Sequence, residues 1–217
     1  MSEQNNQPKP LPPVVTIDGP SGSGKGAISK ALATHLGWHY LDSGCLYRLL
    51  AFAALKADIS LDDEDSLVEL AERMRTTYLL PTADCPAVQL DGVDVNAGLR
   101  TEAAGNAASR IAVLPAVRAA LLDWQRQYRQ PPGLVADGRD MGTVVFPHAD
   151  LKLFLTAAPA VRAERRYKQL INMGEKADLA ELVREVEARD QRDSSREIAP
   201  LKPAADAILL DNSDAEE

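Results

Sequence analysis

Cysteine is scarce in this chain of 217 residues, which contains only Cys45 and Cys85. The two have no paired spacing, so the sequence predicts a reduced, cytoplasmic protein and not a small scaffold held by disulfides. Basic residues are also in the minority, with 24 Lys and Arg against 32 Asp and Glu and a formal net charge of −8. Because a phosphate backbone attracts a positive surface, this balance argues against a protein that coats nucleic acid.

Long apolar runs are absent as well, both at the N-terminus and farther along the chain. We therefore expect neither a signal peptide nor a membrane partner. Residues 1–13 are polar and rich in proline, which predicts a disordered tail. The length and the hydrophobic content of 45% are sufficient for one domain with a substantial core, and we expect a monomer.

The segment from Gly19 to Lys25 matches the pattern of a phosphate-binding loop, in which glycine, four residues, glycine and lysine follow one another. An apolar strand pattern at 14–17 precedes it, and a helical pattern that ends at Gly37 follows it. Glycines allow backbone N–H groups to approach a polyphosphate closely, and Lys25 adds a mobile positive charge. The helix directs its positive end at the same anion. Together these features favour phosphate binding over an ordinary turn rich in Gly and Ser.

Strand patterns alternate with helical patterns along most of the chain. After the first strand, the sequence predicts strands at 38–41, 134–136, 152–156 and 207–210. Such alternation is typical of a parallel sheet with helices on both faces, so ligands should collect at the carboxyl ends of the strands. Short strand-like pieces at 77–80, 87–90 and 93–95, with an Asp91-Gly92 turn, predict a small antiparallel insertion.

Charged residues that follow the strand at 134–136 are the next candidates for chemistry. Asp137 could hold a metal-bound water, and Arg139 could bind an acceptor phosphate through two hydrogen bonds. The alternative is a structural ion pair in a loop. Enzymes that transfer phosphate neutralise the moving charge with cations, which favours the functional interpretation.

Arginines also recur at helical spacing in two places. The first cluster contains Arg162, Arg165 and Arg166; the second contains Arg189, Arg192, Asp193 and Arg196. Taken alone, each spacing predicts a solvated helix face or a surface salt bridge. Either cluster gains functional meaning only beside the phosphate-binding loop.

These residues together resemble bacterial cytidylate kinases, over the span from Val14 to Asp211. The resemblance rests on the segments 19–26, 41–44 with Tyr47-Arg48, 106–109, 136–147 and 189–193. The first segment is shared by many nucleotide enzymes. The Leu-Asp-Ser-Gly segment at 41–44 and the Gly-Arg-Asp-Met-Gly-Thr segment at 138–143 are highly specific to this family.

The resemblance implies an α/β P-loop kinase fold with three layers, a central parallel sheet, a small antiparallel insertion for the nucleoside monophosphate and a helical lid. The core would comprise residues 14–74, 110–157 and 177–217, the insertion about 75–109 and the lid about 158–176. Such an enzyme would act in pyrimidine nucleotide metabolism. With Mg²⁺ as cofactor, it would transfer the γ-phosphate of ATP to CMP or dCMP.

The resemblance also implies roles for individual residues. Those that would bind ATP are Gly19, Pro20, Ser21, Gly22, Ser23, Gly24, Lys25, Gly26, Ala27, Arg162 and Arg166. Those that would bind CMP are Asp42, Ser43, Arg48, Ser109, Arg118, Arg139, Asp140, Arg189, Asp193 and Arg196. Lys25, Arg139 and Arg165 would be catalytic. No residue would bind the metal directly, and Asp137 could bind it through water.

Within the CMP set, the resemblance implies three groups, which include every member except Asp42. Ser109, Arg118 and Asp140 would contact the cytosine. Arg48 and Arg139 would hold the acceptor phosphate. The residues around the sugar would be Ser43, Arg189, Asp193 and Arg196.

Two departures from the family pattern stand out. Gly26 and Ala27 follow Lys25, whereas these enzymes usually carry threonine at the second of those positions. The hydroxyl that would reach the phosphates or Mg²⁺ is therefore missing. The sequence also stops soon after Leu210, whereas family members usually continue into a final helix.

Two alternative functions remain open. One is a kinase for another small acceptor such as UMP, although Ser109, Arg118 and Asp140 favour cytosine. The other is a nucleotide-binding regulator without phosphotransfer. The sequence contains no Asn-Lys-x-Asp segment that reads guanine, which disfavours a GTPase switch.

Overall fold

A computed structural model describes residues 11–77, 88–90, 92–99 and 101–214. The strands are β1 (Val14–Asp18), β2 (His39–Asp42), β3 (Gln89–Leu90), β4 (Val93–Asp94), β5 (Leu134–Gly138), β6 (Leu151–Thr156) and β7 (Ile208–Asp211). Five of them form a parallel sheet in the order β2-β5-β1-β6-β7, while β3 and β4 form a separate antiparallel pair. The predicted parallel sheet is confirmed.

Helices connect and cover these strands. They are α1 (Lys25–Leu36), α2 (Ser43–Lys56), α3 (Glu64–Thr77), α4 (Asn96–Leu99), α5 (Glu102–Ile111), α6 (Pro115–Arg126), α7 (Pro159–Asn172) and α8 (Leu179–Ser194). A π-helical turn, Met141–Val145, follows β5. In the part of the chain that the structure describes, no helix is long and apolar enough to cross a membrane.

The central strand β1 shows why the fold has three layers. It pairs with β5 on one side and β6 on the other, and all five of its residues are buried. Val14 belongs to a large core beneath α2, α3, α5 and α6, whereas Val15 and Ile17 belong to a smaller core beneath α1. Because successive strand side chains point to opposite faces, one apolar strand supplies both cores.

Helix ends follow the local chemistry of the sequence. Asp42 precedes α2, and its carboxylate accepts a hydrogen bond from the Cys45 N–H at 2.9 Å. Gly37 ends α1 with φ at 65°, a left-handed conformation that glycine adopts without strain. Pro115 and Pro159 occupy the first turns of α6 and α7, where a missing N–H costs no hydrogen bond.

The predicted antiparallel insertion can be compared with the structure only in part. The β3–β4 pair spans the Asp91-Gly92 turn, and Gly92 has a φ of 78°. Asp91, the end of the predicted strand at 77–80 and the start of that at 87–90 lie outside the described residues. Thr77 is the last residue of α3 and not part of a strand. The division of the chain into core, insertion and lid stays a prediction.

Candidate active site

A cleft of about 220 Å³ opens at the carboxyl ends of β1, β2 and β5. This central cleft is lined by Ser21, Lys25, Gly26, Asp42, Ser43, Gly44, Tyr47, Arg48, Ala108, Ser109, Ala112, Arg118, Asp137, Gly138, Arg139, Asp140, Arg189, Asp193 and Arg196. All ten residues predicted to bind CMP are among them. The structure thus brings together side chains from widely separated segments, while their individual roles stay predictions.

The phosphate loop, Gly19 to Lys25, connects β1 to α1 at one side of this cleft. Gly24 precedes α1 with φ at 89°, and no side chain caps the helix there. The first N–H groups of α1 are therefore left for a ligand. Gly19 is required by space, because a Cβ at this position would lie 2.0 Å from the Leu155 carbonyl oxygen.

Lys25 lies half-buried within the loop, and its Nζ donates to the Pro20 carbonyl oxygen at 3.1 Å. Burial lowers the Lys25 pKa to about 7, and the nearby positive charge of Arg139 adds to that effect. Asp137 and Asp42 oppose it. A bound polyphosphate would add negative charge beside this amine and raise the Lys25 pKa again. Lys25 would therefore be protonated when the phosphates are bound.

Asp137, at the end of β5, accepts a hydrogen bond from the Tyr40 hydroxyl at 2.7 Å. Burial, followed by the charge of Asp42, raises the Asp137 pKa to about 7. Gly26 packs closely here, since a Cβ built on it would lie 3.5 Å from Asp137 Oδ2. Tyr40 was not identified from the sequence, because nothing in its local pattern distinguishes it from an ordinary strand aromatic.

Asp18, the last residue of β1, holds the segment that follows β5. Its two carboxylate oxygens accept hydrogen bonds from the Met141 and Gly142 N–H groups, each at 2.8 Å. Burial is the main cause that raises the Asp18 pKa to about 6, and these two bonds oppose it. By fixing the start of the π-helical turn, Asp18 also fixes the neighbouring Asp140.

A pair of oppositely charged side chains lies at the far side of the cleft. Arg118, from α6, donates through Nη2 to Asp140 Oδ2, and both side chains are largely buried. Arg118 Nη1 also donates to the Tyr47 hydroxyl at 3.4 Å. Ser109, from α5, accepts a bond from Arg196 Nη2 at 3.1 Å. These groups give the cleft both donors and acceptors for a polar ligand.

Asp193, on α8, is held between two arginines. Its carboxylate accepts from Arg139 Nε at 3.0 Å and from Arg196 Nη2 at 2.5 Å. Burial alone would raise its pKa, but Arg139 and Arg196 together lower the pKa of Asp193 below its ordinary value. Arg139 also donates Nη1 to the Gly138 carbonyl oxygen at 3.3 Å. Within the described residues its Nη2 group has no protein acceptor and can serve a ligand.

Arg48 joins α2 to the predicted insertion, because its Nη1 donates to the Leu99 carbonyl oxygen at 2.7 Å and the Thr101 carbonyl oxygen at 3.3 Å. Gly105 lies directly beneath it. A Cβ on Gly105 would lie 3.1 Å from Arg48 Nη2 and 3.5 Å from Arg189 Nη1. A glycine inside a helix is a sequence signal for such close approach, and the role of Gly105 was not predicted from the sequence.

Gln125 is a third residue that sequence reasoning missed, after Tyr40 and Gly105. It is buried on α6, and its Oε1 accepts a hydrogen bond from the Ser43 hydroxyl at 2.7 Å. Its Nε2 donates to the Leu121 carbonyl oxygen at 3.2 Å. Gln125 therefore fixes the rotamer of Ser43 at the cleft, a contact between residues far apart in the chain.

The three arginines of the predicted lid differ in position. Their spacing alone predicted a solvated helix face. This prediction is wrong for Arg162 and Arg165, which are 2% and 7% exposed. Arg165 Nη2 donates to the Asn212 carbonyl oxygen at 2.7 Å. Arg166 lines a different cleft, between α7, α8 and the segment around β4. Their contact with ATP stays a prediction, and none of them lines the central cleft.

A phosphate loop between a parallel strand and a helix, facing a cleft rich in arginine, defines the P-loop phosphotransferase class. Comparison with known families is more specific. The family model for cytidylate kinase matches residues 15–217. The chain belongs to the cytidylate kinase family.

Individual relatives agree with that assignment. The chain is 57% identical over 203 residues to a cytidylate kinase of Pseudomonas fluorescens strain Pf-5, a match that covers 93% of this chain and 89% of the relative. It is 55% identical over 201 residues to a cytidylate kinase of Burkholderia multivorans, with 93% and 86% covered. For a cytidylate kinase of Aeromonas hydrophila, identity is 53% over 203 residues, with 94% and 88% covered.

Proposed function

We propose that this protein transfers the γ-phosphate of ATP to CMP or dCMP and releases ADP with CDP or dCDP. One observation carries the proposal: Ser21 and Lys25 of the phosphate loop line the same cleft as all ten residues expected to bind the acceptor. The family of the chain supports the same reaction. A regulator without phosphotransfer would not need the arginines that line the cleft beside the phosphate loop.

The acceptor phosphate is already an anion at neutral pH, so the reaction requires no general base. Catalysis then depends on orientation and on neutralising charge. Arg48 and Arg139 would hold the acceptor phosphate, and Lys25 would lie beside the transferred group. Arg139 and Lys25 are near enough for the arginine to lower the lysine's pKa, a repulsion that bound phosphates would relieve.

The polar groups at the far side of the cleft suit cytosine. Cytosine offers an exocyclic amino donor next to an acceptor nitrogen, and uracil offers the opposite pattern. The Asp140 carboxylate accepts and the Arg118 guanidinium donates, which matches the cytosine edge. A uracil carbonyl facing Asp140 would be repelled, so this pair favours CMP over UMP.

The sugar would meet Ser43, Arg189, Asp193 and Arg196. Asp193 lies near the centre of this group, and its lowered pKa keeps the carboxylate ionised at neutral pH. An ionised carboxylate only accepts hydrogen bonds, so it would pair with a sugar hydroxyl.

The residues beside the phosphate loop also fit Mg²⁺. Mg²⁺ prefers oxygen ligands and usually keeps several waters while it binds one or two carboxylates and the substrate phosphates. Asp137 and Asp42 supply carboxylates next to Lys25, and we propose that Asp137 holds the ion through water. When bound, Mg²⁺ neutralises charge on the β- and γ-phosphates. Ala27 offers no hydroxyl to it.

We further propose that the enzyme acts as a cytoplasmic monomer. The unpaired spacing of Cys45 and Cys85 supports a reducing compartment. Gel filtration of the purified protein and fractionation of cells would test the two statements.

Lys25→Ala tests the phosphate-loop assignment, because it removes the positive charge beside the transferred group. We expect phosphotransfer to CMP to be abolished while the melting temperature stays close to that of the wild type. Lys30→Ala is the matched control, since Lys30 is exposed on the same helix α1. If Lys25→Ala retained turnover similar to that of the control, the assignment of the loop would be wrong.

A further inference from the structure

Arg162, near the start of α7, is almost completely buried beside the phosphate loop, with 2% of its surface exposed. Its Nε donates to the Ala157 carbonyl oxygen at 2.8 Å, and its Nη1 donates to the Ser21 carbonyl oxygen at 3.0 Å. A Cβ built on Gly22 would lie 3.1 Å from the Cβ of Arg162. The backbone of the loop therefore rests directly on this side chain.

Asp190, on α8, completes the arrangement. Its Oδ1 accepts from Arg162 Nη1 at 3.0 Å, and its Oδ2 accepts from Arg162 Nη2. Arginine has five N–H donors, and these contacts together with those to Ala157 and Ser21 engage four of them. A guanidinium this deeply buried is held in place by its carboxylate partner, since an unpaired buried charge is very costly.

The contact with Ser21 bears on how the loop binds phosphate. The Ser21 carbonyl and the Gly22 N–H belong to one planar, trans peptide group, so they point in opposite directions. When Arg162 holds the carbonyl toward α7, it turns the Gly22 N–H to the opposite side of the loop. Backbone N–H groups with fixed directions are what a phosphate loop offers its ligand.

We infer that Arg162 and Asp190 are positioning residues that hold the phosphate loop in its ATP-binding shape. The inference rests on the proposed ATP-dependent function. It assigns Arg162 a task different from the direct ATP contact that family resemblance implies, because four of its five N–H donors are already engaged within the protein and its side chain is almost completely buried. It also assigns a task to Asp190, for which the sequence indicated none.

Asp190→Asn separates these roles. If the pair positions the loop, loss of the carboxylate charge loosens Arg162, and ATP affinity falls by about tenfold or more, as expected for a displaced binding group. If Arg162 instead contacted ATP directly, its release from Asp190 would leave ATP affinity unchanged or increase it. That second result would overturn the inference.

The affinity for CMP alone distinguishes positioning from general damage. Helix α8 also carries Arg189 and Asp193, which line the central cleft, so a displaced α8 would weaken CMP and ATP binding alike. We expect the CMP dissociation constant of Asp190→Asn to stay within about twofold of the wild type. Equal losses for the two nucleotides would contradict the inference.

The experiment is calorimetric titration of each variant with Mg²⁺-ATP alone and with CMP alone. Glu187→Gln is the matched control, because it removes one negative charge from an exposed position on the same helix, and both affinities should stay unchanged. Arg162→Lys keeps both charges but loses the forked donors, so it should weaken ATP alone. If Asp190→Asn does not fold, Arg162→Lys still tests the inference, because an Arg162→Lys protein with unchanged ATP affinity overturns it. Wild-type turnover of CMP tests the proposed function separately.

Discussion

Replacement of Arg139 by alanine tests the account of the acceptor phosphate in the most detail. The Arg139 side chain is 19% exposed, its Nε is bound to Asp193, and its Nη2 has no acceptor among the described residues. A hydrogen bond between charged groups contributes about 1.5–3 kcal/mol. The loss of the contact to phosphate should therefore raise the apparent KM for CMP by about ten- to 150-fold. ATP affinity should change by less than about threefold, because Arg139 is not part of the phosphate loop.

The free energy of unfolding of Arg139→Ala should fall by less than the loss of a buried ion pair usually costs. Asp193 would keep Arg196 as a partner at 2.5 Å, so the carboxylate would not be left alone. Saturation curves for CMP at fixed ATP, and for ATP at fixed CMP, measure the two effects. Arg110→Ala is the control, since that arginine pairs with Asp62 on the surface with side chains 57% and 78% exposed. An unchanged CMP curve for Arg139→Ala would show that Arg139 forms only a structural ion pair.

Three further changes test other parts of the site. Asp193→Ala should reduce kcat/KM more for CMP than for dCMP, since a carboxylate beside the sugar gains from a hydroxyl that only CMP has, and equal losses would contradict this contact. Ala27→Thr should raise kcat/KM for ATP by about ten- to a hundredfold by restoring a hydroxyl, whereas unchanged efficiency would show that the site works without one. Asp18 has a pKa of about 6 against an ordinary 3.8, so the folded protein retains a proton that the unfolded chain releases. Its contribution to stability is therefore present below about pH 4 and is lost as pH rises through 6, by roughly 3 kcal/mol. Urea unfolding of wild type and Asp18→Asn at pH 4 and pH 7 should show a difference in unfolding free energy that changes by about this amount, and a constant difference would contradict the raised pKa of Asp18.

The parts of the fold that were predictable have strong local patterns. The strands at 14–18 and 134–138 are continuous buried runs, and α1 and α8 begin and end at residues with clear local preferences, such as Gly37 and Asp178. The phosphate loop was predictable because its glycines and lysine are close in sequence. Resemblance to a family, and not periodicity, identified the residues around the acceptor.

The unpredicted parts depend on contacts between distant segments. The π-helical turn at 141–145 begins where the Asp18 carboxylate binds the N–H groups of Met141 and Gly142. Asp18 is the last residue of β1 and is far from the turn in sequence. Similarly, Arg162 is buried because Asp190 of a different helix pairs with it. Local spacing contains no information about such partners, so the same pattern that predicts a solvated face also fits a buried ion pair.

Steady-state phosphotransfer from Mg²⁺-ATP to a panel of monophosphates measures both the proposed reaction and the choice of base. The panel contains CMP, dCMP, UMP, AMP and GMP, and the Lys25→Ala enzyme is the blank. We expect rapid formation of CDP and dCDP and much slower use of UMP, because Asp140 and Arg118 match the cytosine edge. Release of ADP should require the acceptor. Absence of transfer to CMP would refute the proposed reaction, and transfer to UMP at an equal or greater kcat/KM would refute the proposed recognition of cytosine.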